Sequence, residues 1–342
     1  MARGKKERGG LATEEKRSAT STKNGASANG TSASEKSGKK SEKKNGAKKS
    51  AAKKSDRGVK GKSKAKAKGK KKIPLAKQFD RHWLYQKSVQ EPEADVRFMR
   101  RVFKKLMGRP ALVMREDFCG TGYLSCTWAD TAPELHAFGL DIDPDPLEWG
   151  EKHVRSKLSA EVQERVEISE GNALDVLDRK ADIVCALNFS WFCFHTRDEL
   201  LAYFKAAYEN LPESGLFILD IEGGPEAQQL VEEEREIDDF DYVWDQDEFD
   251  GIGNLCTCYI HFRFPDGSEM KRAFTYQWRL WGMAEMRDVL RDAGFARSEV
   301  YWEGTDKDGE GNGVFTKREK AENSEAWIAY VVAVKEPVKE PK

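Results

Sequence analysis

The stretch Glu116-Asp117-Phe118-Cys119-Gly120-Thr121-Gly122 decides the fold of this 342-residue chain. It follows an apolar run at residues 111–114 and precedes residues 123–130, whose apolar positions have helical spacing. We therefore predict a strand that passes into a helix through a glycine-rich turn. Glycine lets the backbone approach a ligand closely, and the free N–H groups of the following helix point at it, so this arrangement is typical of a nucleotide site.

A second acid, Asp141, ends the strand-like run at residues 135–140 and lies 21 positions after Gly120. An acid about 20 residues beyond a glycine-rich turn is placed to hydrogen-bond ribose hydroxyls. A dinucleotide site would have the pattern G-x-G-x-x-G and a pyrophosphate at the helix N-terminus. Glu116 would repel a pyrophosphate, whereas it suits the ammonium group of a cationic ligand such as S-adenosylmethionine.

The turn resembles the first motif of the class I S-adenosylmethionine-dependent methyltransferases, which reads acid-x-G-x-G-x-G. Glu116 matches the acid, and Gly120 and Gly122 match the second and third glycines. Phe118 replaces the first glycine, so the chain departs from the pattern at that position.

The resemblance extends beyond this motif. Asp141 matches the ribose-binding acid of the family, and the segment 170–173 is similar to its G-D-A segment beside the adenine, with Asn172 in place of Asp. Residues 181–188 are similar to the fourth strand and the motif after it. The resemblance implies that the cofactor contacts Glu116, Phe118, Cys119, Gly120, Thr121, Gly122, Asp141, Ile142, Asn172, Ala173 and Asn188.

The similarity covers roughly residues 111–335 and implies an α/β fold with a doubly wound, seven-stranded, mainly parallel sheet. The alternation of strand and helix patterns agrees with that class. We predict an inserted β-hairpin lid, residues 255–264 and 270–280, turned by Pro265-Asp266-Gly267. The domains expected are a tail at residues 1–72, a helical cap at 73–110 and a methyltransferase domain at 111–338, with the insertion at about 225–280.

The methyl acceptor is expected where the fourth strand ends. Asn188 and Trp191 have the spacing of the N-P-P-aromatic motif found in methyltransferases that modify amino or amide nitrogens, although Phe189 and Ser190 replace both prolines. His195 is a candidate base at neutral pH. The alternative is that this stretch packs aromatic rings under the insertion and that His195 is structural. Asn188 and His195 are the candidate catalytic residues.

The second strand of the hairpin also carries candidate acceptor contacts. Alternation places Tyr276 and Trp278 on one face and Arg279 on the other. Aromatic rings beside carboxylates favour an amine acceptor through cation–π attraction, whereas Arg279 favours a carboxylate on the substrate. The candidate substrate-binding residues are Trp191, Tyr276, Trp278 and Arg279.

Charge divides the chain into two parts. Residues 1–72 contain 25 of the 58 Lys and Arg but only 6 of the 59 Asp and Glu, and no aromatic residue. Such a segment buries too little apolar surface to offset its ordering entropy, so we predict that it is disordered. Clustered lysines favour non-specific nucleic-acid binding. A solubilising tail, or one that pairs with the acidic remainder, is the alternative.

Other sequence features argue against a membrane protein or a metalloprotein. No apolar run approaches the roughly 20 residues that span a bilayer. The six cysteines lack paired zinc-like spacing, and reduced thiols are expected in a soluble, intracellular protein. The acid-rich residues 232–250 lack a calcium-loop pattern and are read as a solvated face. The oligomeric state, the kingdom and the choice between cytoplasm and nucleus stay open.

The leading functional hypothesis is an S-adenosylmethionine-dependent methyltransferase acting on a small amine or amino-acid-like acceptor. The first alternative is a nucleic-acid or protein methyltransferase whose basic tail holds the polymer. The second is a non-catalytic, cofactor-binding protein that associates with nucleic acid.

We predict that a protein starting at Ile73 melts within error of the full chain, because the removed residues carry little apolar surface. The same truncation should abolish salt-sensitive binding to DNA or RNA, measured by fluorescence anisotropy at several salt concentrations. Unfolding of the truncated protein would show instead that the tail is structural.

Overall fold

The computed structural model describes residues 72–307 and 311–336. The predicted tail therefore lies outside the described residues, apart from Lys72. The helices are α1 (Arg81–Val89), α2 (Pro92–Met107), α3 (Tyr123–Thr131), α4 (Pro144–His153), α5 (Ala160–Gln163), α6 (Arg197–Glu209) and α7 (Met283–Asp292), with 3-10 turns at Leu75–Lys77, Arg155–Lys157, Ser190–Cys193 and Pro225–Gln228. The strands are β1 (Val113–Asp117), β2 (His136–Asp141), β3 (Val166–Glu170), β4 (Ile183–Ala186), β5 (Leu216–Gly223), β6 (Val231–Ile237), β7 (Phe240–Asp250), β8 (Leu255–Arg263), β9 (Glu269–Arg279), β10 (Arg297–Thr305), β11 (Gly311–Arg318) and β12 (Trp327–Val334).

The main sheet has the order β11-β10-β12-β5-β4-β1-β2-β3 in the described part of the chain. Strands β3, β2, β1, β4 and β5 are parallel, and β12, β10 and β11 are antiparallel to their neighbours. The doubly wound, mainly parallel α/β fold is thus confirmed, but the sheet has eight strands where seven were predicted. The additional edge strand β11 pairs with β10, and its Phe315 packs against Phe98 and Tyr330.

Strand β1 continues further than its apolar run suggests. It includes Arg115 and Asp117, whose side chains have no exposed surface and whose Nε and Oδ1 atoms lie 2.7 Å apart. Because side chains alternate along a strand, Arg115 and Asp117 share one face while Glu116 points to the other. Tyr203 of α6 donates a hydrogen bond to the second carboxylate oxygen of Asp117, at 3.1 Å. The buried charges compensate one another, so charged residues can occupy a central strand.

The insertion after β5 forms its own antiparallel sheet, of order β6-β7-β8-β9. The predicted hairpin is confirmed as β8 and β9. The acidic stretch before it forms β6 and β7, and Glu232, Glu234 and Glu236 alternate along β6 on its exposed face. On these strands Glu232 and Glu234 pair with Arg263 of β8, which offsets part of the acidic charge.

Two hydrophobic clusters cover the two faces of the main sheet. The first joins α6 and α7 to the insertion and contains Phe204, Phe217, Phe262 and Trp278. The second lies under α2 and α3 and contains Phe103 and Trp128, among other residues. The insertion therefore packs on the same core as the main sheet. Among the described helices, none is both long enough and apolar enough to cross a bilayer.

Replacing Arg115 by Met should destabilise the protein by about 3–5 kcal/mol, because Asp117 would remain buried without its charge partner. The change in unfolding free energy is measured by urea denaturation. Arg291→Met is the matched control, since the exposed Arg291–Asp288 pair should contribute less than about 1 kcal/mol. Equal stability of Arg115→Met and the wild type would contradict the prediction.

Candidate active site

The glycine-rich turn lies at the carboxyl end of β1 and has three residues in the left-handed region. These are Phe118, Gly120 and Gly122, with φ values of 58°, 53° and 66°. A Cβ atom on Gly120 would meet no atom within 4 Å, whereas one on Gly122 would lie 2.9 Å from Ile168. The turn therefore leaves open space above Gly120, where a ligand can approach the backbone.

Asp141 lies beside this turn, at the carboxyl end of β2. Its carboxylate accepts hydrogen bonds from the backbone N–H groups of Gly120, at 2.7 Å, and Asp143, at 3.0 Å. The next residue, Ile142, exposes 70% of its surface. An acid, an open backbone turn and an exposed apolar side chain therefore occupy one sheet edge.

The other residues of the turn, Cys119 and Thr121, are held in place by contacts with neighbouring elements. Cys119 is buried and donates its backbone N–H to the carbonyl of Leu140. Thr121 accepts a hydrogen bond from the side chain of Gln86 in α1 at 2.7 Å. A Cβ atom on Gly150 of α4 would lie 2.2 Å from the Thr121 carbonyl, so the absence of a side chain there lets α4 pack against the turn.

Glu116 points away from the sheet face that carries Arg115 and reaches the first turn of α3. It accepts hydrogen bonds from the backbone N–H and hydroxyl of Ser125, at 2.9 and 2.6 Å. Burial raises the pKa of Glu116 to about 8, although the bonds from Ser125 oppose the rise. A nearby cation would lower this pKa, because it favours the charged carboxylate.

The loop after β3 carries the next two predicted cofactor contacts. The side-chain oxygen of Asn172 accepts a hydrogen bond from the backbone of Leu174, at 2.9 Å, and Ala173 is buried. Arg115 donates hydrogen bonds to the carbonyls of Ala173 and Asp175, at 3.1 and 2.9 Å. The buried arginine of β1 thus positions this loop, a role that the sequence analysis missed.

The turn after β4 is held by Asp220 of β5. Asn188 and Phe189 both adopt left-handed conformations, with φ of 56° and 57°. Their backbone N–H groups donate to the two carboxylate oxygens of Asp220, at 2.6 and 2.9 Å. Burial raises the pKa of Asp220 to about 8, and these hydrogen bonds oppose the rise. Sequence analysis missed Asp220, although an acid within an apolar strand was a signal for it.

A cavity of about 140 Å³ lies next to Asn188 and Phe189. Helices α1 and α2, strands β5 and β12, and the inserted sheet all contribute to its wall. Its polar and aromatic lining includes Tyr85, Asp95, Asn188, Asp220, Glu222, Tyr242, Trp244, Tyr276, Trp278 and Tyr330.

Three rings of the inserted sheet form one wall of the cavity. The ring centroids of Tyr276 and Trp278 are 4.5 Å apart, and those of Trp244 and Trp278 are 5.7 Å apart. The Trp244 indole nitrogen is buried and has no hydrogen-bond partner in the described structure. A buried N–H group without a partner is uncommon in folded proteins.

The cavity also contains three carboxyl groups with raised pKa values. Burial raises the pKa of Asp95 to about 6, against a hydrogen bond from Tyr330. Burial also raises the pKa of Glu222 to about 7, with a smaller contribution from the charge of Glu233. Asp95, Glu222 and Asp220 thus place three carboxyl groups in a cavity whose lining is otherwise mainly aromatic and apolar. The charged form of a carboxyl group in such surroundings favours a cationic ligand.

Comparison with known proteins supports one fold family. No family model matches the chain. A stretch of 68 residues is 41% identical to the ribosomal protein L11 methyltransferase of Clostridium botulinum strain Eklund 17B, covering 20% of each chain. The chain thus spans about a fifth of the length of the curated relatives it matches.

Solved structures match over most of the chain. An S-adenosylmethionine-dependent methyltransferase from Clostridium acetobutylicum ATCC 824 aligns with a TM-score of 0.53 at 18% identity, over 73% of this chain and 96% of that one. This chain has the class I methyltransferase fold. The amino pentose methyltransferase CalS10 of Micromonospora echinaspora has a TM-score of 0.51 at 16% identity, over 73% and 95%. The sugar N-methyltransferase KedS8 of Streptoalloteichus has a TM-score of 0.51 at 17% identity, over 82% and 100%.

Within this methyltransferase fold, three of the residues predicted near the acceptor do not line the cavity. Trp191 has no exposed surface and donates its indole N–H to the Asp220 carbonyl. His195 bonds through Nε2 to the Gln277 carbonyl at 2.8 Å. Arg279 donates to the His195 carbonyl and pairs with a glutamate of α7. These groups join the turn after β4 to β9, whereas Asn188, Tyr276 and Trp278 do line the cavity.

Asp141→Ala should weaken binding of S-adenosylmethionine by roughly 1.5–3 kcal/mol, because two hydrogen bonds from the ribose to a charged acceptor would be lost. Calorimetry measures the affinity. Asp143→Ala is the matched control, since Asp143 caps α4 through the N–H of Asp145 and its loss should affect stability but not affinity. Unchanged affinity in a folded Asp141→Ala protein would overturn the cofactor assignment.

Proposed function

We propose that the chain is an S-adenosylmethionine-dependent methyltransferase that acts on the nitrogen of a small amine. One observation carries the proposal. The cavity at the carboxyl ends of β4 and β5 combines carboxyl groups with aromatic rings, and β4 pairs in parallel with β1, whose carboxyl end carries the glycine-rich turn. In a doubly wound sheet, ligands bind at this end of the strands.

The residues of the sheet edge fit the cofactor. The open backbone at Gly120 can approach its methionine part, Asp141 can accept bonds from its ribose, and Ile142 offers an exposed apolar surface to its base. Buried Glu116 is suited to a cation. When bound, the cofactor supplies a methyl group already activated on a sulfonium. The similar structure of CalS10 is described as containing bound S-adenosylmethionine.

The chain's own residues then have to bind the acceptor, orient its lone pair and exclude water. Asp220 fixes the turn that carries Asn188, and the inserted sheet covers the cavity with rings. Carboxylates and ring faces both attract an ammonium ion, so an amine fits this lining better than a carboxylate does. Of the similar structures, CalS10 is described as an amino pentose methyltransferase and KedS8 as a sugar N-methyltransferase.

A second candidate is methylation of a nucleic acid or a protein. The observation that favours it is the formal charge of +19 on residues 1–72, which would hold an anionic polymer. Labelled S-adenosylmethionine incubated with an amine-containing metabolite extract, and separately with RNA, DNA and protein, distinguishes the two. Label in small amines supports the first candidate, whereas label in a polymer alone supports the second.

Trp278→Ala should lower turnover at least tenfold while leaving cofactor affinity within about twofold, because Trp278 lines the proposed acceptor cavity and is not among the predicted cofactor contacts. Asn188→Ala should also lower turnover, but it should weaken cofactor binding as well, because Asn188 is a predicted cofactor contact. The label-transfer assay measures turnover, and calorimetry measures affinity. Trp302→Ala is the control, since Trp302 packs against Trp327 outside the cavity lining. Unchanged turnover in both cavity variants would place the acceptor elsewhere.

A further inference from the structure

We propose that Glu222 binds the ammonium form of the acceptor and accepts the proton that must leave before the nitrogen can attack. This inference rests on the proposed function and adds a catalytic residue to it. The structure separates Glu222 from the three other carboxyl groups of the cavity, those of Glu91, Asp95 and Asp220, by what each one already contacts.

Asp220, Asp95 and Glu91 are engaged within the protein, Glu91 through the interaction of its charge with Arg235. Both oxygens of Asp220 accept backbone N–H groups of the turn after β4. Asp95 accepts the hydroxyl of Tyr330. Glu222 has neither a hydrogen bond nor an ion pair from its side chain to another described residue, yet it lines the cavity and is only half-buried. It is the carboxylate in this lining with both oxygens available to a ligand.

The position of Glu222 suits an acceptor between the turn and the inserted sheet. It lies two residues after Asp220 on β5, so both side chains project from the same face of the sheet. Asp220 fixes the turn that carries Asn188, and the rings of Trp244 and Trp278 line the same cavity. An ammonium ion paired with Glu222 would therefore lie among ring faces, where cation–π attraction adds to the ion pair.

The proton affinity of Glu222 suits a base at neutral pH. Its pKa is raised to about 7, mainly by burial and then by the charge of Glu233 on β6. A base is most effective when its pKa lies near the working pH. Below pH 7 Glu222 is protonated and neutral, so both ammonium binding and proton acceptance should weaken as pH falls. Other titratable groups also line the cavity, namely Tyr85, Glu91, Asp95, Asp220, Tyr242, Tyr276 and Tyr330. Cys258 of β8 also lies near Glu222.

The proposed step is balanced in protons and charge. A primary ammonium transfers one N–H proton to the Glu222 carboxylate and becomes a neutral amine with a free lone pair. A bound cofactor would supply the methyl group, so that the new N–C bond would replace the methyl–sulfur bond and leave a neutral thioether. The product is an N-methylammonium ion, and Glu222 releases its proton to solvent for the next turnover. An acceptor with no N–H proton gains nothing from Glu222.

Cyclohexylamine and cyclohexanol provide matched probes, because they have the same ring and differ in charge. A six-membered ring is also compatible with a cavity of about 140 Å³. Calorimetry is carried out on the full chain saturated with S-adenosylhomocysteine. The wild type should bind cyclohexylamine at least tenfold more tightly than cyclohexanol at pH 8, and this preference should decline below pH 7. Glu222→Gln should lose the preference while retaining the affinity for cyclohexanol.

Glu233→Gln is the matched control. It removes a neighbouring charge without removing the proposed base, so the preference for cyclohexylamine should persist and its pH midpoint should move downward. The pH dependence of the wild type provides a test even if Glu222→Gln does not fold. A preference that survives in folded Glu222→Gln, or a wild type that binds cyclohexylamine no better than cyclohexanol at any pH, overturns the proposal.

Kinetic measurements distinguish a failure of the role proposed for Glu222 from a failure of the proposed methyltransferase function. Transfer of label to cyclohexylamine should show kcat/KM rising through about pH 7 in the wild type, and a roughly 100-fold loss without that inflection in Glu222→Gln. Amine methylation that is equal in Glu222→Gln and the wild type at every pH would reject Glu222 but retain the function. Glu222-dependent amine binding without transfer to any amine would reject the function but retain Glu222 as an ammonium-binding residue.

Discussion

The fold depends on a buried ion pair in its central strand. Arg115 and Asp117 lie on one face of β1 without exposed surface, and together they contact α6 through Tyr203 and the loop after β3 through two backbone carbonyls. Burial raises the pKa of Asp117, and the guanidinium of Arg115 opposes that rise. Because an unpaired charge at this depth is costly, the pair favours a single placement of three separate segments around the carboxyl end of β1.

Sequence patterns predicted those parts of the fold and the site that depend on the spacing of residues close together in the chain. The acid of β1, the two glycines and Asp141 have characteristic separations, and the structure brings Gly120 and Asp141 into hydrogen-bond contact. The hairpin of β8 and β9 was predicted from alternation and its turn residues. Strand β11 was not predicted from the sequence, because its pairing depends on the free edge of β10 and on a contact with α2.

The acceptor side of the site was only partly predictable. Tyr276 and Trp278 were identified from strand alternation, and both line the cavity. Trp191 is buried outside the cavity lining, which the sequence could not indicate because a short motif does not show which way a turn projects its rings. Asp220 and Glu222 were missed, since their importance arises from the distant segments that surround them, namely the turn after β4 and the inserted sheet. Local spacing carries no information about such contacts.

The left-handed turn after β4 has a consequence for engineering. Phe189 holds a backbone conformation that bulky residues avoid, and its backbone N–H donates a 2.9 Å hydrogen bond to Asp220. Glycine at this position would relieve the strain, but it would remove a ring that packs against Phe192 and Trp278. The same ring belongs to the cavity wall. A strained backbone is therefore retained here because the ring it carries contributes both to the core and to the cavity, so this position tolerates neither relief of the strain nor loss of the ring.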